Sequence, residues 1–317
     1  MKKTVAVIFG GKSVEHDVSI ITAHVPIIEA LLASNEYNVL PIYISKDGSW
    51  YSESSMNNLS YFKDKELDIK INKLKKLHLI FDNGFSIAKT GIISKPIKID
   101  IVFPAMHGTY GEDGSLMGLL RMAGVPYVGC DLFASSIAMD KVATKQILED
   151  EGIQVVPYTW FTKSDWEINK KVILDKINNL TWPVFVKPVH LGSSIAITKV
   201  SNKNDLENAI EVALHYDNKV LVEEAVENLI EVTLPIIGNA EPELGYIEKA
   251  LNKSEFFNFE DKYISGNKKT PNMQSQYSEI PAKIDDSLYK LTEKIGKQTY
   301  KIIGCSGIAR IDFLINN

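Results

Sequence analysis

The stretch VAVIFGGKS, at positions 5–13, decides the fold class of this chain. Its first five residues are apolar and rich in β-branched side chains, which is typical of a strand in the middle of a parallel sheet. Two glycines then turn the chain, and apolar residues recur with helical spacing up to Leu32. Strand-like runs follow at 39–44 and 99–104. This order predicts a small Rossmann-like α/β domain over residues 1–125.

The remainder of the chain predicts two further domains of α+β type. The region 126–222 combines helices with strands, and 223–317 adds strand-like runs, a long helix and a terminal strand. Within the latter, residues 264–279 contain hardly an apolar side chain, which predicts a mobile lid or loop. We therefore expect three domains in 317 residues, with boundaries near positions 125 and 222.

Composition excludes several classes of function. The net charge of −5 and the absence of a long basic run argue against nucleic acid as a partner. Two cysteines, Cys130 and Cys305, are too few for a disulfide framework and lack metal-type spacing. The first apolar run is too short for a signal peptide, and no run of 18 apolar residues follows. We expect a cytoplasmic protein with no membrane partner.

The turn GGKS, at positions 10–13, lies between a strand and a helix, where a phosphate-binding loop would belong. The Walker pattern fails because the strand lacks the earlier glycine, and the dinucleotide fingerprint fails at Lys12 and Glu15. The glycines alone therefore indicate a tight structural turn. The three ionisable groups at 15–17 favour a small charged ligand, because they follow the carboxyl end of a strand. A carboxylate there could bind an ammonium group, whereas Asp17 is expected to cap the helix.

A second glycine-rich segment, MHGTYGEDGS at 106–115, also follows an apolar strand. It contains one histidine, two carboxylates and three glycines, and such glycine density predicts close backbone approach to another group. A lone histidine is more often structural than catalytic, so His107 does not decide the function by itself.

Lys187 stands at the end of the buried strand VFVKP and is followed by GSS at 192–194. A buried lysine needs an anion, and small residues let backbone N–H groups approach one, so this pattern predicts a phosphate cradle of non-Walker type. The alternative is a lysine that extends to solvent at a strand end. Glu223 and Glu231, at later strand ends, could accept an adenine amine and ribose hydroxyls, although surface carboxylates are common.

The terminal strand GIARIDFLI, at 307–315, places Arg310 and Asp312 on one face. An arginine beside a carboxylate suits a phosphate and its metal ion. Because Mg²⁺ usually takes another carboxylate or several more oxygens, Asp312 is expected to need further ligands.

As a set, these motifs resemble the ATP-grasp superfamily and, within it, the D-alanine–D-alanine ligases of peptidoglycan synthesis. The resemblance runs from residue 5 to 315 and implies a three-domain ATP-grasp architecture, α/β and α+β. Its most specific pieces are FGGKSVEHDVS at 9–19, HG at 107–108, EDG at 112–114, MDK at 139–141, VKP at 186–188, GSS at 192–194, DKY at 261–263 and ARID at 309–312.

The resemblance implies a two-step ligation with ATP and Mg²⁺ (or Mn²⁺) as cofactors, in a homodimer. ATP phosphorylates the carboxylate of one D-alanine, and the amine of a second D-alanine attacks the acyl phosphate. The implied catalytic residues are Glu15, which would hold the first ammonium, Ser193 and Tyr263, which would close the lid, and Arg310, which would stabilise the oxyanion and the transferred phosphoryl group. The implied binding residues are His107 near the substrate carboxylate, Lys141, Lys187 and Lys262 at the ATP phosphates, Glu223 at the adenine, Glu231 at the ribose and Asp312 at the metal.

Two alternatives stay open at the level of the sequence. Tyr263 in the lid favours D-alanine as acceptor, and a D-alanine–D-lactate or D-serine ligase is the nearest alternative.

Similar ligases continue beyond the Arg-x-Asp strand into a strand with Glu-x-Asn, so we expect a truncated third domain with an open edge and an uncovered apolar face at 308–315. A non-catalytic ATP-grasp remnant that binds nucleotide or D-alanine is the alternative from another class. Ala196 stands where many relatives have glycine, which we expect to crowd the phosphate loop.

Overall fold

The computed structural model describes residues 2–82, 84–91, 95–251 and 278–316. It divides into two compact units, Met1–Ser136 and Ile137–Asn317.

The first unit is built on a central four-stranded sheet in the order β3-β2-β1-β7. Its first strand pairs in parallel with β2 on one side and β7 on the other, and its residues 5–9 are buried, as their continuous apolar run predicts. The α/β expectation is therefore confirmed. The strands of the unit are β1 (Thr4–Gly10), β2 (Asn38–Ile44), β3 (Trp50–Tyr51), β4 (Leu77–Ile80), β5 (Phe85–Lys89), β6 (Ile97–Ile99) and β7 (Ile101–Pro104).

One long helix covers this sheet. The helix α1 (His16–Ser34) contains a π-helical segment at Ala23–Ile28 with Pro26 inside it. Among the described residues it is the one helix whose length and hydropathy alone would allow it to cross a membrane. Ile20, Ala23 and Ile28 instead pack into the core beside Phe9 of β1, among other buried residues. The other helices of the unit are α2 (Leu67–Asn72), α3 (Ser115–Met122) and α4 (Leu132–Met139), which crosses the division at 136, with short 3₁₀ turns at Ser54–Asn57 and Leu59–Lys63.

The polar insertion between the second and third predicted strands contains a small antiparallel sheet that the sequence pattern did not predict, in the order β4-β5-β6. Phe85 and Ile87 of β5 and Ile99 of β6 are buried in the core of the unit. The strand predicted at 99–104 is divided at Asp100, whose Oδ2 accepts a hydrogen bond from the Thr4 backbone N–H at 2.8 Å.

The second unit begins with an antiparallel sheet in the order β10-β9-β11-β8. One face of this sheet, which includes Val186 and Val222, packs against α6 and α7 in a core with Ile177 and Ile210. The other face carries Lys187 and faces α5. The elements are α5 (Lys141–Asp150), β8 (Tyr158–Thr162), α6 (Lys163–Asn178), β9 (Val184–Pro188), β10 (Thr198–Val200), α7 (Leu206–Tyr216) and β11 (Lys219–Glu224), with a 3₁₀ turn at Lys203–Asp205.

Two predicted elements of this region differ from the structure. The single helix expected at 136–152 is divided at Asp140, which has an extended backbone and accepts hydrogen bonds from the N–H groups of Val142 and Ala143 as the N-cap of α5. The strand expected at 195–200 shrinks to Thr198–Val200, because Ser194 and Ala196 adopt left-handed φ angles that a strand cannot contain.

A second sheet completes this unit. Its central strand β12 pairs with β16 in antiparallel register over ten residue pairs, and β16 pairs with β12 alone within the described part of the chain. Ile311, Phe313 and Ile315 pack in the core beneath α8, so the uncovered apolar face expected at 308–315 is limited to Ile308 and Leu314. The elements are β12 (Leu229–Gly238), β13 (Glu243–Leu244), β14 (Glu248–Ala250), β15 (Ser278–Glu279), α8 (Asp286–Ile302) and β16 (Gly307–Asn316).

Gly296 fixes how closely α8 approaches this sheet. A Cβ on Gly296 would lie 2.3 Å from Leu234 Cδ2 and 3.4 Å from Phe313 Cζ. We expect Gly296→Val to lower the free energy of unfolding by about 1–3 kcal/mol through overpacking. Urea denaturation monitors the change, with Lys294→Ala on the exposed side of the same helix as the control. Equal midpoints for the two variants would contradict this packing.

Candidate active site

The first unit brings Glu15 and the loop after β7 together. Glu15 is 7% exposed, and its backbone N–H donates to the Ser13 hydroxyl at 2.9 Å. A Cβ on Gly108 would lie 2.5 Å from Glu15 Oε2 and 2.9 Å from Ser13 Oγ, so the glycine backbone lies directly against this carboxylate. Both segments follow the carboxyl ends of neighbouring parallel strands, which is where α/β sheets bind ligands.

His107 is fixed by groups on both of its ring nitrogens. Nε2 lies 2.8 Å from the Thr22 hydroxyl, and Nδ1 lies 3.5 Å from Glu112 Oε1. The other oxygen of Glu112 accepts a hydrogen bond from the Gly108 N–H at 2.6 Å. The histidine is therefore oriented by the same network that shapes the loop beside Glu15.

The neighbours of Glu15 have structural roles. His16 is buried, with Nδ1 2.6 Å from the Gly11 carbonyl oxygen, and burial lowers the pKa of His16, which favours the neutral ring. The hydroxyl of Ser19 accepts from the Gly10 N–H and donates to the Ala105 carbonyl, both at 2.8 Å, so it joins the ends of β1 and β7. The expectation that Asp17 caps the helix is wrong, because the N-cap position is Glu15 and Asp17 lies inside the first turn.

In the second unit, Glu223 lies between two lysines from different elements. Its side chain is 5% exposed, and Oε2 lies 3.0 Å from Nζ of Lys145 on α5, while Oε1 binds Nζ of Lys187 on β9. Burial alone would raise the pKa of Glu223, but the charges and hydrogen bonds of the two lysines outweigh it and hold the pKa below its usual value. The carboxylate therefore stays ionised although it is buried.

Lys145 was not predicted as a site residue. Lys141, which was, lies four residues earlier on the same helix, and this spacing places both side chains on one helix face. The four-residue spacing from Lys141 was the feature of the sequence that could have indicated Lys145, because no motif includes Lys145.

Lys141 contacts the segment that leads into the predicted phosphate cradle. Its Nζ donates to the carbonyl oxygens of Val189 at 3.1 Å and Leu191 at 2.5 Å. Burial and the nearby charge of Lys187 lower the pKa of Lys141 to about 8. A lysine with this pKa changes its charge within the pH range of ordinary assays.

The loop that follows has an unusual backbone. Ser193, Ser194 and Ala196 have φ angles of 52°, 58° and 55°, in the left-handed region. Such residues cost about 1 kcal/mol or more each unless surrounding contacts hold them, and glycine adopts this region readily. Ala196 thus adopts a backbone conformation that suits glycine, and the crowding expected from the sequence stays a prediction.

The β12–β16 pair presents a separate polar face. Asp312 Oδ1 lies 3.1 Å from Nε of Arg310 and accepts a hydrogen bond from the Thr233 hydroxyl at 3.0 Å. Glu231, two residues before Thr233, lies on the same face of β12 because side chains alternate along a strand. Across the described ranges, no group of three or more His, Cys, Asp or Glu residues is arranged to hold a metal ion. Within the same ranges, Asp312 is the carboxylate beside Arg310 that could supply one ligand to a metal.

Three predicted features lie outside the described residues: Lys262, Tyr263 and the part of the expected lid at 264–277. Their assignments remain predictions.

The architecture is that of an ATP-grasp ligase, and solved structures share its fold. The VanG D-Ala:D-Ser ligase from Enterococcus faecalis has a TM-score of 0.77 at 33% sequence identity, and the match covers 98% of this chain and 86% of that chain. The D-alanine-D-alanine ligase from Coxiella burnetii has a TM-score of 0.79 at 27% identity, with 100% and 82% covered. The expected fold class is confirmed.

Sequence comparison defines the family. The family model described as D-ala D-ala ligase N-terminus matches residues 4–130, and the one described as D-ala D-ala ligase C-terminus matches residues 147–317. The D-alanine--D-alanine ligase of Thermosipho melanesiensis is 40% identical over 312 residues, which cover 98% of this chain and 82% of the relative. The chain belongs to the D-alanine–D-alanine ligase family, as the motif resemblance indicated.

The contact between Gly108 and Glu15 yields a matched test. Gly108 and Gly124 have nearly equal φ angles, 66° and 65°, but a Cβ on Gly124 would meet nothing within 4 Å. Both alanine variants carry the same backbone strain, of about 1 kcal/mol. We expect Gly108→Ala to raise the KM for D-alanine at least about tenfold, because a displacement of about 1 Å at a reacting group has costs of this size. Gly124→Ala should leave the KM unchanged, and a similar KM in both variants would show that the contact is unimportant.

Proposed function

We propose that this protein joins two D-alanine molecules into D-alanyl-D-alanine with hydrolysis of ATP to ADP and phosphate, and so supplies a peptidoglycan precursor. The observation that carries the proposal is the buried Glu15 carboxylate packed against the Gly108 backbone. A buried carboxylate is stabilised by a cation, and a site bounded by a glycine backbone suits a small cationic group. The ammonium group of an amino acid as small as alanine meets both requirements.

The first chemical step transfers the γ-phosphoryl group of ATP to the carboxylate of the first D-alanine. Lys141 and Lys187 supply positive charge for the phosphates, and the left-handed φ angles of Ser193, Ser194 and Ala196 are of the kind found in backbone concavities that bind anions. Glu223 accepts the adenine amine and Glu231 contacts the ribose. ADP leaves with the electron pair of the broken P–O bond.

The second step forms the peptide bond. The amine of the second D-alanine attacks the acyl carbon, gives a tetrahedral intermediate and expels phosphate after loss of a proton. Arg310 places positive charge near the oxygen that becomes negative in this intermediate. His107, fixed by Thr22 and Glu112, is positioned to contact a substrate carboxylate, and Ser193, Lys262 and Tyr263 are assigned to lid closure and phosphate binding by the family motif.

A divalent cation, Mg²⁺ or Mn²⁺, fits the residues in part. Magnesium sites in phosphate-transferring enzymes commonly use one or two carboxylates together with phosphate oxygens and water. Asp312 offers one exposed carboxylate next to Arg310. The ion would neutralise phosphate charge when it is bound, and Asp312 would hold it to the protein.

The setting of the enzyme is also part of the proposal. The net charge of −5 and the packing of the apolar helix α1 into its own unit support a cytoplasmic protein without nucleic acid or membrane partners. The family resemblance supports a homodimer.

The direct test measures phosphate release and dipeptide formation with ATP, Mg²⁺ and D-alanine, with D-serine and D-lactate as alternative acceptors in parallel. We expect turnover with D-alanine alone and formation of D-alanyl-D-alanine. Turnover only with D-serine or D-lactate would reassign the acceptor. Nucleotide binding without turnover on any acceptor would instead favour a non-catalytic ATP-grasp protein.

Glu15 and Asp17 provide a matched pair of carboxylates within one motif. We expect Glu15→Gln to raise the KM for D-alanine about ten- to hundredfold, because a charged hydrogen bond contributes about 1.5–3 kcal/mol. Asp17→Asn removes an exposed charge, whose ion-pair partner Lys46 lies 3.4 Å away. This substitution should leave the KM for D-alanine unchanged. Equal effects of the two substitutions would contradict the role of Glu15.

The pKa of Lys141 gives a pH-dependence. With a pKa of about 8, Lys141 is mainly charged at pH 7 and mainly neutral at pH 9.5. If it binds ATP phosphates, the dissociation constant for a non-hydrolysable ATP analogue should rise by about tenfold over this interval, because positive charge is lost. Lys141→Arg keeps its charge and should remove the rise. A wild-type profile that stays flat from pH 7 to 9.5 would exclude Lys141 from phosphate binding.

A further inference from the structure

Lys145 has a set of contacts that no step above uses. Its side chain is 15% exposed, and its Nζ donates to the Val156 carbonyl oxygen at 3.1 Å and lies 3.0 Å from Glu223 Oε2. The same Nζ lies 5.0 Å from the centre of the Tyr158 ring, within cation–π distance. The ammonium group is therefore fixed from three directions by elements of one unit.

Lys187 makes fewer contacts than Lys145, and its proposed role is to bind a phosphate of ATP. Its side chain is 18% exposed and its Nζ binds Oε1, the other oxygen of Glu223. When Lys187 turns toward a phosphate, Glu223 loses one of its two bound cations. Lys141, the third lysine of the cluster, already donates to the carbonyl oxygens of Val189 and Leu191. A buried carboxylate without a cation would take up a proton.

We propose that Lys145 is a positioning residue for the nucleotide, a fixed cation that keeps the Glu223 carboxylate charged and oriented when Lys187 moves to a phosphate. Oε2 stays bound to Lys145, and Oε1 becomes available for an N–H donor such as the exocyclic amine of adenine. This inference rests on the proposed function, since it places a nucleotide at Lys187 and Glu223.

The surroundings of Glu223 predict how a neutral replacement at position 145 behaves. Among the residues that the structure describes, the charged or titratable groups that face this carboxylate are Lys187 from β9, Lys145 and Lys141 from α5, and Tyr158 from the neighbouring strand β8, opposite Glu223 in register. Loss of the Lys145 charge raises the pKa of Glu223. Below that raised value the carboxyl group is protonated and becomes a weaker acceptor, so nucleotide binding weakens as the pH falls.

The test compares ATP with inosine triphosphate, which has a carbonyl oxygen in place of the amine. For Lys145→Met at pH 6 we expect the dissociation constant of ATP to rise about ten- to hundredfold, the range typical of a lost charged hydrogen bond. The effect should shrink toward pH 8.5, while binding of inosine triphosphate should change little. Lys145→Arg keeps the cation and should bind ATP nearly as the wild type does.

Lys170→Met is the matched control, since Lys170 forms an exposed ion pair with Glu207 at 2.7 Å in the same unit. It should alter no dissociation constant. A uniform loss of affinity for both nucleotides in Lys145→Met, with no pH dependence, would assign Lys145 a purely structural role and overturn the inference. Wild-type affinity for ATP in this variant would overturn it as well.

Glu223→Gln separates this inference from the proposed function. If that substitution lowers the preference for ATP over inosine triphosphate while Lys145→Met does not, only the role of Lys145 is overturned. If neither substitution affects the preference, the adenine is not at Glu223, and both the proposed contact and the inference fail.

Discussion

The second unit depends on one electrostatic constraint: several lysine charges must be held close together on a largely buried surface. Lys141 and Lys187 are close enough for the charge of one to lower the pKa of the other, so their repulsion needs compensation. Glu223 provides it from β11, an inner strand of the sheet, and Lys145 binds the second oxygen of that carboxylate. Because these groups come from α5, β9 and β11, the cluster can exist only if the helix is held in register with the sheet.

A second polar network provides that register. Asp140 caps α5 through its Oδ1 and accepts from Nζ of Lys219 at 2.8 Å through Oδ2. His190, just beyond β9, lies between Asp140 and Asp217, and the hydrogen bond that its ring donates to Asp217 raises the pKa of His190 and favours its charged form. One helix start, one strand end and the beginning of β11 are therefore joined by charge-assisted contacts, which are stronger than neutral ones.

Much of this could be predicted from the sequence, for specific reasons. The buried strand at 5–9 was evident from its apolar, β-branched residues. The carboxyl end of a strand indicated Glu15 and glycine density indicated the segment at 106–115, but the contact between them was not predicted. Lys145 was missed because a lysine on a helix is usually solvated, and only the fold reveals a buried carboxylate facing it. The strands β4 to β6 were not predicted because they are short and interrupted by lysines. Their formation depends on the packing of Phe85 and Ile87 in the core, which the sequence pattern does not show. The prediction that Asp17 caps the helix was wrong because the helix begins one or two residues earlier than the usual cap pattern suggests.

The contact between Lys187 and Glu223 also bears on discrimination among the anions of a cell. The carboxylate acts as a tethered competitor, present at a fixed and high effective concentration next to the lysine. A simple anion can displace it from Lys187 but brings no amine for the carboxylate that is left behind, so part of the gain is lost. A nucleotide bound as proposed would offer both an anion and an amine and would satisfy the two partners at once. If the nucleotide binds as proposed, the Glu223 side chain would itself disfavour simple anions at Lys187.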